Sequence, residues 1–333
     1  RLGNRASAKG IRMIRRVSSA AITLTCALLV AGCGYSPTPV PDPSVAPPAP
    51  PASAAPPVVC ANPLQSYAPL ATQPRPGQMP QGSTMAKILQ RGRLIAGVSA
   101  DTYLLAARNP INGQIEGFDI DMVKAIARAI FGDDKDRVTL RVISASDRIP
   151  VLQKHEVDIV ARNMTINCTR WRDIAFSAEY YRSGQKLLVR KESKIRDLST
   201  LASQRVCAPV GTSSIDNIVK LAPKAKPVTA ANHTGCLVLF QQGKVDAITG
   251  DDTVLAGLAS QDPYAVVLKG EPFTAEPYGI GVPADDVDMV RFINGVLADL
   301  RRDGGWQRSY DRWLGKTLGV GAKQPKAEYG RTR

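Results

Sequence analysis

The sequence has few of the residues from which hydrolytic and metal-dependent active sites are built. It contains two histidines, His155 and His233, and neither lies beside a plausible nucleophile or at ligand spacing from a cysteine. The G-x-S-x-G, P-loop and H-E-x-x-H motifs are all missing from the chain. We therefore expect no cofactor, no metal and no enzymatic activity.

Long hydrophobic runs are also missing, apart from one short apolar stretch near the start. Arg15 and Arg16 precede residues 20–30, which are too few to span a bilayer because a transmembrane helix needs ~20 apolar residues. This pattern predicts a signal peptide over residues 1–33, with translation starting at Met13. Its end, Val30-Ala-Gly-Cys33, resembles a bacterial lipobox, so we expect Cys33 to carry a lipid anchor and the body to be extracytoplasmic. An ordinary cleaved signal peptide with a chance cysteine is the alternative.

Acidic residues are absent before Cys33, and this asymmetry accounts for much of the net charge of +14. Without the six basic residues of that stretch, 37 basic and 29 acidic residues remain, a net charge of +8 with no dense basic run. No signature of a nucleic-acid-binding module is present. We therefore expect no nucleic-acid partner.

Proline is unevenly distributed, since 15 of the 25 prolines fall between Ser36 and Pro80. A segment of this composition cannot bury a core and favours an extended conformation. We predict a tether over residues 34–84. Its first part, from Cys33 to Cys60, would reach roughly 80 Å at ~3.1 Å per residue.

Four cysteines remain once Cys26 leaves with the signal peptide and Cys33 takes the lipid. An even number outside the cytoplasm predicts two disulfides, for which three pairings are available. We favour Cys207–Cys236 within one part of the fold and Cys60–Cys168, which would join the tether to the other part. A zinc site is the competing interpretation.

From Met85 onward, short apolar strands alternate with amphipathic helices, which predicts an α/β fold. Helical periodicity is clear in residues 118–131 and 287–302. Strands are predicted at residues 93–98, 138–143, 157–160, 187–190, 205–210, 245–249 and 278–282. The tail from Lys316 is polar, and we expect it to be frayed.

One stretch, Gly117-Phe-Asp-Ile-Asp-Met-Val-Lys-Ala-Ile, resembles the signature of bacterial extracellular solute-binding proteins of the polar amino-acid type. Further segments follow in that family's order, covering about residues 85–315. They include Asp147-Arg-Ile-Pro, Met164-Thr-Ile-Asn-Cys-Thr-Arg, Gly211-Thr-Ser-Ser, Gly250-Asp-Asp-Thr and Tyr278-Gly-Ile-Gly-Val. The resemblance implies a two-lobe periplasmic-binding-protein fold with two crossover strands and a ligand cleft. Lobe 1 would comprise residues 85–182 and 279–333, and lobe 2 residues 183–278.

The resemblance also implies which residues hold an amino-acid ligand. Arg170 matches the arginine that binds the α-carboxylate, for which a planar guanidinium is suited because it offers two parallel donors. Thr165 and Asn163 would add neutral hydrogen bonds, and the backbone amides at Thr212 and Ser213 would help at a helix N-terminus. Asp251 matches the aspartate that binds the α-ammonium group, with the adjacent Asp252 as the alternative.

The ligand side chain is harder to infer. Arg148 is similar to an arginine that glutamate/aspartate binders place on the distal carboxylate. Two departures stand against this: Ser99 occupies a position where such members carry a second arginine, and Met164-Thr-Ile-Asn replaces a run of serines and threonines. Arg162 is the candidate for the missing charge, and an outward-facing side chain is the alternative. We therefore expect glutamate or aspartate, with their amides as alternatives.

The implied activity is capture of a free amino acid by a monomer that delivers it to the permease of an ABC importer. One alternative is a sensor whose closed form docks on a membrane receptor. Another is an enzyme on the same fold, such as a cyclic-acid dehydratase. That alternative needs an acid or base in place of the ammonium-binding aspartate, and no spare candidate is evident.

Overall fold

A computed structural model describes residues 60–319 and 321–332 of the chain. The predicted signal peptide, the lipid-bearing Cys33 and the tether up to residue 59 lie outside this range. Within it, no helix combines the length and the hydrophobicity that a membrane crossing requires.

The strands are short apart from one of ten residues. In chain order they are β1 (Gln65–Ser66), β2 (Leu94–Val98), β3 (Asp101–Thr102), β4 (Ala106–Arg108), β5 (Ile115–Glu116), β6 (Val138–Val142), β7 (Ile159–Val160), β8 (Ala175–Phe176), β9 (Tyr181–Arg190), β10 (Arg205–Pro209), β11 (Lys226–Ala230), β12 (Ala247–Asp251), β13 (Ala265–Val267), β14 (Thr274–Tyr278), β15 (Gly281–Val282) and β16 (Glu328–Tyr329).

The helices alternate with these strands. They are α1 (Thr84–Arg91), α2 (Phe118–Phe131), α3 (Arg148–Gln153), α4 (Cys168–Trp171), α5 (Ser213–Leu221), α6 (His233–Gln241), α7 (Asp252–Ala259), α8 (Val287–Arg302), α9 (Gly305–Tyr310) and α10 (Lys316–Leu318), with a 3-10 turn at Leu198–Leu201 and a π-helical turn at Asp311–Gly315.

Lobe 1 is built on a five-stranded sheet in the order β6-β2-β7-β15-β8. Helix α2 packs on it and starts where the sequence requires a glycine. Gly117 has a φ of 144°, and a Cβ there would lie 2.3 Å from the Leu105 carbonyl oxygen. Asp119 and Asp121 in the first turn favour this start because they face the positive end of the helix dipole.

Lobe 2 has a sheet in the order β11-β10-β12-β9-β13. Strands β10, β11 and β12 are parallel, whereas β9 runs antiparallel to β12 and β13. Helices α5 and α6 cover the parallel part, and α5 begins at Thr212, whose hydroxyl accepts a hydrogen bond from the Ile215 amide.

Two crossover strands connect the lobes. Strands β9 and β14 pair antiparallel from Tyr181↔Tyr278 to Gln185↔Thr274. The predicted lobe boundaries, 182/183 and 278/279, fall at the lobe 1 end of this pair. The fold is therefore the two-lobe α/β fold that the sequence predicts.

The tether prediction ran too far. Residues 60–84 pack against lobe 1, where β1 pairs parallel with β16 and Tyr67 is buried. The side-chain amide of Gln73 donates to the Phe292 carbonyl. The tail predicted to fray is likewise held, since β16 belongs to it. The segment folds because apolar residues among the prolines are buried and because it pairs with residues far along the chain. Its proline-rich composition gave no sign of either.

Both favoured disulfides are present. Cys207–Cys236 joins β10 to α6 inside lobe 2, with a Cα–Cα distance of 5.6 Å, and both residues are fully buried. Cys60–Cys168 joins the start of the described chain to α4 in lobe 1, with a Cα–Cα distance of 5.5 Å. A zinc site at these cysteines is thereby excluded.

Replacing Cys207 and Cys236 together with alanine should lower the free energy of unfolding. The bridge closes a loop of sequence separation 29, and loops of this size are worth about 2–4 kcal/mol in the unfolded state. Urea unfolding measures the loss. The Cys60→Ala/Cys168→Ala variant is the matched control, and circular dichroism of both tests that they fold. An unchanged unfolding midpoint for the first variant would contradict the prediction.

Candidate functional site

The two lobes meet along a face that buries charged side chains. Hydrogen bonds cross it from the Arg148 guanidinium to the Gly211 carbonyl (3.1 Å) and from the Thr234 hydroxyl to the Asp101 carbonyl (3.3 Å). The cleft between the lobes is therefore closed. Six ionisable side chains are buried at or near it: Asp119, Arg148, Arg162, Arg170, Asp251 and Glu276.

Arg170 lies in the short helix α4, which starts at Asn167. The Asn167 side chain caps the helix by accepting a hydrogen bond from the Arg170 amide. One guanidinium nitrogen, Nη1, donates to the Thr165 carbonyl at 2.6 Å. Burial lowers the pKa of Arg170, and the carboxylates of Glu276 and Asp251 oppose that shift. The rest of its planar fork is available to another acceptor.

Both ends of the described chain brace α4. Cys168 carries the disulfide to Cys60, and the Trp171 indole donates to the Pro63 carbonyl at 2.8 Å. The guanidinium of Arg331 lies 3.7 Å from the Trp171 ring centroid, a cation–π contact. The helix that carries Arg170 is therefore fixed by contacts that sequence periodicity does not reveal.

Arg148 lies at the start of α3 and is almost wholly surrounded by backbone carbonyls. Nε donates to Ala145, Nη1 to Arg162 and Asn163, and Nη2 across the cleft to Gly211. Burial, followed by the charges of Arg170 and Arg162, lowers its pKa well below the ordinary value. This cradle was not anticipated from sequence, where only a contact with ligand was expected.

Arg162 is similarly buried, and its Nε donates to the Ile143 carbonyl at 3.0 Å. Burial lowers its pKa, while Asp101, Asp119 and Asp147 raise it. In the part of the chain that the structure describes, none of the three buried arginines forms an ion pair with a carboxylate. Backbone carbonyls accept from the donors, and the nearby carboxylates act on the arginines from beyond ion-pair distance.

Asp251 ends strand β12 and is buried. Its carboxylate accepts a hydrogen bond from the Tyr278 hydroxyl at 2.7 Å. Burial, and then the charge of Glu276, raises its pKa to about 7. Asp252 faces a different way, since it accepts from the Ser183 hydroxyl and is partly exposed. Of the two candidates, Asp251 is the one buried with the cleft arginines.

Asn163 and Thr165 lie on the segment between β7 and α4. Asn163 has a φ of 35°, in the left-handed region, and its backbone N–H donates to the Asp119 carboxylate. Its Oδ1 is buried with no hydrogen-bond partner among the described residues. Its side chain lowers the pKa of Asp251, which places the two groups side by side. A donor from a ligand would satisfy this oxygen.

The remaining predicted residues, Ser99, Thr212 and Ser213, differ in which polar groups they leave for a ligand. Ser99 bonds to Asp101 and Thr102 in its own turn and contacts none of the cleft arginines through a hydrogen bond. The Thr212 hydroxyl is occupied by the Pro209 carbonyl and the helix cap, so only its backbone remains for a ligand. Ser213 is directed to the cleft, with its hydroxyl 3.1 Å from that of Thr165.

Sequence reasoning missed Glu276. This residue is 1% exposed in the crossover strand β14, and its carboxylate accepts hydrogen bonds from Thr165 and Ser213, both at 2.6 Å. The sequence did contain a signal for it: Glu276 is an acidic residue two positions before the strand predicted at residues 278–282. A charge at such a place requires a partner or a function.

Two α/β lobes on paired crossover strands, closed over buried arginines and an aspartate, define a binding protein for a small charged solute. The chain belongs to the bacterial extracellular solute-binding proteins, family 3, whose sequence model matches residues 94–316. The protein is accordingly extracytoplasmic.

Relatives and solved structures agree with this assignment. The chain is 36% identical over 232 residues to an ABC transporter glutamine-binding protein of Bacillus subtilis, covering 69% of this chain and 84% of that protein. It is 30% identical over 250 residues to a glutamate-binding protein of Corynebacterium efficiens, covering 72% and 85%. An ancestral arginine-binding protein bound to glutamine matches with a TM-score of 0.63 and 30% identity, covering 68% of this chain and 99% of that one.

The raised pKa of Asp251 predicts a pH-dependent effect of Asp251→Asn on the ligand-free protein. Between the ordinary pKa of 3.8 and about 7, the folded carboxyl keeps a proton that the unfolded chain releases. Stability from this group is thus present at low pH and lost as pH rises toward 7. Relative to wild type, the variant should gain more than about 1 kcal/mol between pH 5 and pH 8, because one pKa unit corresponds to ~1.4 kcal/mol.

Thermal and urea unfolding at both pH values measure this gain. Asp252→Asn is the matched control, since Asp252 is the partly exposed neighbour. An equal effect of Asp251→Asn at pH 5 and pH 8 would contradict the assignment of Asp251 as the buried acid of the cleft.

Proposed function

We propose that this protein captures glutamate or aspartate between its lobes, as a monomer without enzymatic activity, and delivers it to an ABC importer. Glutamine and asparagine are the weaker ligands. The observation that carries the proposal is the set of three buried arginines without an ion-paired carboxylate. The glutamine- and glutamate-binding relatives support the ligand class.

The α-carboxylate is assigned to Arg170. Its guanidinium has five N–H donors, and the Thr165 carbonyl takes only one nitrogen. The backbone amides at Thr212 and Ser213 open helix α5, where the helix dipole favours negative charge. These groups lie on opposite lobes, so a carboxylate between them would link the lobes together.

The α-ammonium is assigned to Asp251 and Asn163. Asp251 supplies an acidic oxygen, and the unpartnered Oδ1 of Asn163 supplies a neutral acceptor beside it. An ammonium group has three donors and no acceptor. Its charge favours the ionised form of Asp251, so binding below pH 7 is expected to release a proton from that carboxyl.

The side-chain carboxylate is assigned to Arg148. Four of its five N–H donors face backbone carbonyls, which leaves one for a ligand oxygen. A carboxylate would also compensate its buried charge, whereas a neutral amide would not. This difference supports a preference for glutamate and aspartate over their amides.

Arg170→Ala and Arg148→Ala should therefore change the ligand affinities in different ways. Arg170→Ala should weaken all four ligands together, by roughly 30-fold to several thousand-fold, since truncating a buried charge pair costs about 2–5 kcal/mol. Arg148→Ala should reduce the affinities for glutamate and aspartate more than those for glutamine and asparagine, by at least about tenfold.

Calorimetric titration of both variants with the four ligands measures these affinities. Because Arg148 also holds backbone carbonyls, the informative quantity is the ratio of the losses for the acidic ligands to the losses for their amides. Arg205→Ala, which removes an exposed ion pair to Asp246 away from the cleft, is the control. Equal losses across the four ligands for Arg148→Ala would show that Arg148 shapes the fold and does not recognise the side chain.

We further propose that Cys33 carries the lipid anchor and that residues up to 59 connect it to the folded body. The sequence support is the Val30-Ala-Gly-Cys33 motif after a short apolar stretch. The Cys60–Cys168 disulfide provides the point where this connection joins lobe 1.

The Cys33→Ala variant should lose its lipid and leave the membrane fraction, because a signal peptide without its lipidated cysteine provides no stable anchor. Fractionation in high salt and mass spectrometry of the N-terminal peptide test this. Cys33→Ala protein that stays in the membrane fraction at high salt would contradict the anchor.

A further inference from the structure

Glu276 lies where the two lobes and the crossover strands come together. Its carboxylate accepts hydrogen bonds from Thr165 Oγ1 in lobe 1 (2.6 Å), from Ser213 Oγ (2.6 Å) and Asn217 Nδ2 (3.1 Å) in helix α5, and from Thr274 Oγ1 on its own strand (2.8 Å). The first two bonds reach the same oxygen, Oε2. This carboxylate therefore contacts hydroxyls from both sides of the cleft.

These bonds fix the direction of two hydroxyl protons. Oε2 accepts from both hydroxyls, and each hydroxyl has a single proton, which it donates to that oxygen. The oxygens of Thr165 and Ser213, 3.1 Å apart, then present lone pairs to their other neighbours. Lone pairs repel a carboxylate and accept hydrogen bonds from an ammonium group.

The charges around these two hydroxyls also favour an ammonium group over a carboxylate. Among the neighbouring charges, that of Glu276 has the largest effect on both groups: it raises the pKa of Arg170 and the pKa of Asp251. It therefore lies near both the proposed carboxylate site and the proposed ammonium site. The buried Asn163 Oδ1, also an acceptor, lies beside Asp251.

We propose that Glu276 is a positioning residue that makes the cleft select α-amino acids over acids that lack the amino group. It does so by holding the Thr165 and Ser213 hydroxyls as acceptors and by adding negative charge beside Asp251. This inference rests on the proposed function. It also revises the role expected for Thr165, whose hydroxyl serves the ammonium group while the α-carboxylate relies on Arg170 and backbone amides.

The test compares glutamate with glutarate, which has the same carbon chain and both carboxylates but no amino group. Wild-type protein should bind glutamate far more tightly. Glu276→Gln keeps the shape, removes the charge and adds a donor toward the hydroxyls, so they are free to turn their protons outward. It should lower the preference for glutamate over glutarate by at least about tenfold, equivalent to about 1.4 kcal/mol.

Glu179→Gln is the matched control. Glu179 is buried and is ion-paired with Arg182, and it makes no hydrogen bond to Thr165, Ser213 or Asp251. Its substitution should leave the preference unchanged. If Glu276→Gln reduces the affinities for both ligands equally, as Glu179→Gln would through a loss of stability alone, the proposal is overturned.

A second variant tests the same point and leaves Glu276 itself unchanged. Thr165→Val removes the hydroxyl at nearly constant shape. It should weaken glutamate about tenfold more than glutarate, because the bond to Glu276 is lost with either ligand and the bond to the ammonium group is lost only with glutamate. Equal weakening of both ligands would show that Thr165 donates to a carboxylate, contrary to the proposal. Failure of wild-type protein to bind any of the four amino acids would instead overturn the proposed function and this inference together.

Discussion

The closed arrangement of the lobes depends on burying positive charge without an ion-paired carboxylate. Each ion removed from water costs several kcal/mol after relaxation, and backbone carbonyls recover only part of this. Arg148, Arg162 and Arg170 all carry that cost, and Arg148 donates across the cleft to Gly211. A ligand that brings carboxylates into the cleft therefore stabilises closure. Ligand capture and lobe closure are thus the same electrostatic event.

The ends of the folded body contribute to this arrangement from outside the cleft. The segment that starts at Cys60 and the tail that contains Arg331 both hold helix α4, and they also pair with each other through β1 and β16. The chain leading from the proposed anchor is thereby joined to the helix that carries Arg170. This joint holds Arg170, the residue proposed to bind the α-carboxylate, in a fixed place in lobe 1.

Local patterns predicted much of the fold, and very short strands and long-range pairing account for what they missed. The periodic helices α2 and α8 and the strands β2, β6 and β10 follow from apolar spacing. The short strands β3, β4 and β5 do not, because they pair with one another over only two positions each, too few to give a periodic pattern. The packing of residues 60–84 does not, because it depends on partners far along the chain. In the site, motif positions singled out Arg170 and Asp251, and the structure buries both at the cleft. The carbonyl cradle of Arg148 and the role of Glu276 became visible only when four separate segments were brought together.

The most direct test of this account is thermal unfolding of the wild-type protein in the presence of each of the twenty amino acids. A ligand at 100 times its dissociation constant stabilises the folded state by about 2.7 kcal/mol, a readily measured rise in melting temperature. The account predicts the largest rise with glutamate or aspartate, a smaller one with glutamine or asparagine, and none with cationic or apolar amino acids. A largest rise with arginine, histidine or leucine would contradict the claim that the buried arginines await the ligand's carboxylates.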